Sequence, residues 1–101
     1  MTELTSKQRA HLRSLAHHLK PIVHVGNDGV TKALLKTVVE AFNTRELLKV
    51  KVLEGAPDDP RATADQIAEA LEGVEVPQTI GRTIVLFRTH PDDPQIDLET
   101  L

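Results

Sequence analysis

Gly26-Asn27-Asp28-Gly29 is the tightest group of chemically informative residues in the chain. Its two glycines permit backbone conformations closed to other residues, and they let another backbone approach closely. The loop feeds a helical pattern, and the free N–H groups and dipole of a helix N-terminus favour a phosphate. A pair of glycines also suits a plain strand-to-helix turn, so both readings stand. Arg9, Arg13 and His17 form a second arrangement, a basic ridge at i, i+4 and i+8, with Lys20 close behind. Lys32 and Lys36 repeat the i, i+4 basic spacing just after the loop. Such rows of cations match phosphate oxygens, and they also match an ordinary solvated face.

Other chemistry is poorly supplied. The chain has no cysteine, which removes disulfides, thiolate ligands and thiol nucleophiles. Its histidines include the adjacent pair His17-His18, expected to point apart on a helix, and His11 and His18, about two turns apart. No two histidines stand four residues apart, so no metal site is expected. Asp58-Asp59 and Asp92-Asp93 sit beside prolines and read as turn and cap residues. There is no nucleophile elbow, phosphate-binding loop with its lysine, or dinucleotide fingerprint. Neither catalytic residues nor a cofactor are expected. Phe42 and Phe87 are the only aromatic residues, and both fall in apolar patterns. A nucleic acid would therefore be held by phosphates, 2′-hydroxyls and shape rather than by stacked bases.

The elements that position these residues follow from cap and turn signals. Thr5-Ser6-Lys7-Gln8 has capping-box spacing, and Leu12, Leu15, Ala16 and Leu19 mark the stripe of a first helix that Pro21 ends. Ile22–Val25 is a short strand. Thr31 caps a second helix with Leu34, Leu35, Val38, Val39 and Phe42 at helical spacing. A second strand spans about Leu47–Glu54, where Leu48, Val50 and Val52 alternate with Lys49 and Lys51, giving one buried and one wet face. Asp59 and Pro60 open a third helix, which Gly73 stops. Val74–Ile80 and Thr83–Arg88 are strands joined at Gly81-Arg82. The order α-β-α-β-α-β-β implies an α/β fold with a four-stranded mixed sheet. The first two strands should be parallel with a right-handed crossover, and the last two should form an antiparallel hairpin.

With 101 residues the chain fits one domain. Residues 1–88 are expected to form it, and residues 89–101 a loosely ordered acidic tail. No apolar run is long enough to span a bilayer and no secretory signal core is present, so a cytoplasmic address is expected. The formal charge of −3 argues against a polyanion, but its distribution does not. Residues 1–52 carry nine Lys and Arg against four acids, and residues 53–101 carry three against eleven. A basic working surface and an acidic solvating surface would follow.

Leu4 to Thr31, Glu46 to Val52 and Ile80 to Arg88 resemble, in order, the motifs of the CRM domain (chloroplast RNA splicing and ribosome maturation). The resemblance covers about residues 4–88 and is strongest to the single-domain bacterial YhbY type. It implies a fold like the C-terminal domain of translation initiation factor 3. It also implies RNA as partner, with ribosomal RNA in large-subunit precursors as the target. Family loops often hold a basic residue between the glycines, whereas this chain has Asn27-Asp28, and Asp28 would repel phosphate. The expected RNA contacts are Arg9, Arg13, His17, Lys20, Gly26, Asn27, Asp28, Gly29, Lys32 and Lys36, in a monomer that touches no membrane. The competing reading is a protein-interaction module that docks on ribosome assembly factors without touching RNA.

Overall fold

The computed structural model describes residues 4–98. The elements follow in the expected order: α1 (Ser6–Ala16), β1 (Pro21–Val25), α2 (Lys32–Phe42), β2 (Leu47–Val52), α3 (Pro60–Ala70), β3 (Glu75–Ile80) and β4 (Thr83–Phe87). Each helix begins at its expected cap. Thr5 Oγ1 accepts the Gln8 N–H at 3.1 Å while Gln8 Oε1 accepts the Thr5 N–H at 3.0 Å, a closed capping box. Thr31 caps Leu34 at 3.1 Å, and Asp59 caps Ala62 at 2.7 Å with Pro60 in the first turn.

The four strands form one mixed sheet in the order β1-β2-β4-β3. β1 and β2 are parallel, and β4 runs antiparallel to both β2 and β3. Pro77 is tolerated because β3 is an edge strand whose register slips between Glu75 and Gln78.

Strand alternation sorts the helices onto two faces. Val23, Val25, Leu48, Val50, Val52, Ile84 and Leu86 form one core with Val38 and Phe42 of α2 and Ala64 and Ile67 of α3. The intervening Leu47, Val85 and Phe87 form a second, smaller core with Leu12 and Ala16 of α1. The expected α1 stripe is narrower than its four positions. The helix ends at Ala16, and Leu15 and Leu19 remain 40% and 37% exposed. A lone helix on half a sheet face buries only the strip that touches the strands.

The tail departs from the expected loose segment. Through residue 98 it is pinned by Glu46, an acid only 4% exposed. One carboxylate oxygen accepts the His90 N–H at 2.7 Å, and the other accepts those of Gln95 and Ile96, each at 2.7 Å. Ile96 and Leu98 then pack against the α1 core, and the Gln8 side chain donates to the Leu98 carbonyl at 3.2 Å. His90 holds the turn: Nδ1 accepts the N–H groups of Asp92 and Asp93 at 3.1 and 3.0 Å, which leaves Nε2 to donate to the Asn43 carbonyl at 3.0 Å.

Burial pushes the Glu46 carboxyl upward, but the three amide hydrogen bonds from His90, Ile96 and Gln95 outweigh it and leave the group below its ordinary value of 4.5. A depressed carboxyl stabilises the fold fully above that ordinary value and loses the contribution as pH falls through the folded value. Stability should therefore decline as pH drops below about 4.5, and Glu46→Gln should flatten that part of the decline. At neutral pH Glu46→Gln should cost about 1–3 kcal/mol in urea unfolding. Amide exchange should quicken at residues 90, 95 and 96 while β2 and β4 stay protected.

Candidate nucleic-acid interface

The glycine loop is a closed β-turn. The Gly29 N–H donates to the Gly26 carbonyl at 3.0 Å, so that amide is spent within the loop. Gly29 has φ +68°, and a Cβ there would sit 2.9 Å from Pro57 Cγ. Glycine is thus required at this position twice, by backbone conformation and by space. Gly26 has no positive φ, and a Cβ there would meet nothing within 4 Å. The Asn27 side chain lies over Gly55, where a Cβ would collide with its Oδ1. The loop is therefore braced by the segment following β2. Asp28 is exposed. Thr31 takes the Leu34 amide, which leaves those of Lys32 and Ala33 as the open donors of the first turn of α2.

Arg9, Arg13, His17 and Lys20 are all exposed, as the ridge reading requires. Lys32 and Lys36 are exposed too, but on α2, which packs on the opposite face of the sheet from α1. The two basic rows, neighbours in sequence, are thus separated by the sheet. The His17 and His18 rings do not diverge. They meet edge-to-face with centroids 5.2 Å apart, because α1 has already ended at Ala16. Among the described residues no three His, Asp or Glu side chains converge as a metal site would need.

The charge asymmetry of the sequence becomes a lateral one. β1 and β2 occupy one side of the sheet, and β3, preceded by α3, occupies the other. At that second edge Asp65, Glu69, Glu72 and Glu75 line a shallow groove, and Arg9 borders it. Arg9 therefore stands among carboxylates, while Arg13, His17 and Lys20 follow α1 toward β1. Arg82 is also committed: Nε and Nη2 donate to the Val52 and Leu53 carbonyls, each at 2.7 Å, tying the β3–β4 turn to the end of β2. Neither commitment has a signature in the local sequence, since both partners come from distant segments.

Comparison with known proteins agrees with this architecture. The family model described as CRS1 / YhbY (CRM) domain matches residues 4–88. The "Probable RNA-binding protein YqeI" of Bacillus subtilis is 42% identical over 95 residues, which cover 94% of this chain and 98% of that protein. An "RNA-binding protein" of Haemophilus influenzae is 39% identical over 88 residues, covering 87% and 88%. The solution structure of the hypothetical protein SAV1595 from Staphylococcus aureus superposes with a TM-score of 0.78 at 38% identity, covering 94% of this chain and 98% of that one.

The two loop glycines should respond differently to substitution. Gly29→Val should destabilise the fold by about 1–3 kcal/mol, because it forces a β-branched residue into positive φ against Pro57. Gly26→Ala should stay within about 0.5 kcal/mol of the parent. Urea midpoints at constant m-value check both.

Proposed function

Because the chain belongs to the CRS1 / YhbY (CRM) domain family, we propose that it binds RNA, with ribosomal RNA in precursors of the large ribosomal subunit as its target. The observation that carries this reading is the exposed run Arg13, His17 and Lys20, leading along α1 toward the strand that ends in the Gly26–Gly29 turn. Relatives named as RNA-binding proteins across nearly the whole chain support it. The protein acts as a cytoplasmic monomer and performs no covalent step. Phe42 and Phe87 are buried at 5% and 4% exposure and the chain has no Tyr or Trp, so bases find no platform of these large rings. Cations instead take phosphate oxygens, and the free energy comes largely from the counterions released. The open first-turn amides of α2 and the bare surface over Gly26 let a backbone approach at the loop. Arg9, among carboxylates, is the weakest of the helix contacts, and Lys32 and Lys36 reach RNA only where it passes around the sheet.

Affinity for ribosomal RNA fragments, measured across a salt series, tests the reading. Binding should weaken steeply and linearly in the logarithm of salt. Arg13→Glu should lose about tenfold or more at low salt. Asp28→Lys should tighten binding, and its gain should shrink as salt screens it. A parent protein that binds no RNA at low salt, while capturing assembly factors, would replace this reading with the protein-docking one.

A further inference from the structure

Half of the sheet face shared with α1 is uncovered. α1 packs over Leu47, Val85 and Phe87, at one end of the central strands. Beyond it, the next cross-strand row on that face is His24, Lys51, Thr83 and Ile80, paired through β1, β2, β4 and β3. Lys49, paired with Val85, stands between this row and the helix. His24, Lys51 and Ile80 are exposed, while Lys49 and Thr83 are half-buried. None of these five positions carries a carboxylate. Among the described residues no side chain is hydrogen-bonded or ion-paired to Lys49, Lys51 or His24.

The orientation of α1 joins this floor to the basic ridge. Gln8 bonds the tail at Leu98, so the flank that carries Gln8 looks toward the tail. Arg9 is one residue, about 100°, further around the helix, and Arg13 and His17 stack above it at i+4 and i+8. These three therefore lie on the flank turned away from the tail, Arg9 at the acidic groove beside Glu75 and Arg13 and His17 further along toward β1. Arg13 and His17 form a bank, Lys49, Lys51 and His24 form the floor, and the Gly26–Gly29 turn closes the far end of β1.

We propose that this shelf is a binding site for the sugar-phosphate backbone of double-helical RNA, with Lys49 and Lys51 as its central phosphate contacts. The inference rests on the RNA-binding reading above and adds its surface and the form of RNA. Lys49 and Lys51 stand about 7 Å apart along one strand and present two cations among cross-strand neighbours that carry no carboxylate. With Phe42 and Phe87 buried, the floor has no Phe, Tyr or Trp platform for a run of unpaired bases, and His24 is its one exposed ring. A duplex turns its phosphates outward and keeps its bases inside, which is the surface these residues complement.

Three measurements use the full chain, with a fully paired RNA hairpin and an unstructured strand of equal length as probes. Lys49→Gln combined with Lys51→Gln should weaken hairpin binding about tenfold and lower the salt slope by about two. Arg61→Gln, which removes one positive charge on α3 behind the sheet, should alter neither. Acetylation of the parent protein, which needs no variant, should show Lys49 and Lys51 shielded by the hairpin and Lys7 still reactive. Parental affinity and slope in the double variant, or unshielded lysines in the bound parent, would overturn the shelf while leaving RNA binding intact. Tighter binding of the single strand than of the hairpin would overturn the duplex assignment. A parent that binds neither probe at low salt would overturn the RNA reading and the shelf with it.

Discussion

Every second side chain of β2 is sealed into the core beneath α2 and α3, and the side chains between them belong to the other face. Leu48, Val50 and Val52 are essentially inaccessible, and their neighbours on the strand are Leu47, Lys49 and Lys51. Because β2 pairs with β1 on one side and β4 on the other, its register sets that of the sheet. A slip of one residue would drive two ammonium groups under α2 and α3 with no partner, at a cost of several kcal/mol. The lysines thus exclude the wrong pairing as firmly as the valines favour the right one. The same alternation leaves their charges on an open surface, so the device that holds register also supplies the cations.

Much of this was legible from short-range chemistry. Thr5, Thr31 and the Asp59-Pro60 pair announce three helices because a cap and its target lie three residues apart. The alternation in β2 announces a strand with one buried face. The layering was not legible. Periodicity says that α1 and α2 each bury a stripe, but not that they bury it on opposite sides of the sheet. Lys36 and Arg13 therefore looked like parts of one surface. Glu46 was hidden for a related reason. As one acid in a basic half it reads as solvent-exposed, and its partners lie 44, 49 and 50 residues away. They are backbone amides, which every residue but proline possesses, so no residue type betrays them.

The candidate site shows the same division. The Gly-x-x-Gly spacing marked a turn, and the positive φ of Gly29 explains one of its glycines. The other has no conformational reason to be glycine. The bracing by Pro57 and Gly55 could not be read from the loop itself, because those residues arrive after β2. Their effect is to hold the turn in one shape before any ligand arrives. A preformed loop avoids ordering its backbone on binding, and this strengthens whatever contact it makes.

The clasp on the tail acts on amide hydrogens alone. Glu46 meets His90, Gln95 and Ile96 through their main chain, and so it is indifferent to what Gln95 carries as a side chain. Between these fixed points, side chains can drift in charge and size without loosening the clasp. Proline is the exception, since at 90, 95 or 96 it would delete a donor that the carboxylate needs. Asp92, which takes part through its main-chain N–H, can thus be exchanged for another residue at little structural cost. The charge at that position is an adjustable property of the molecule, uncoupled from the attachment that keeps the segment folded against α1.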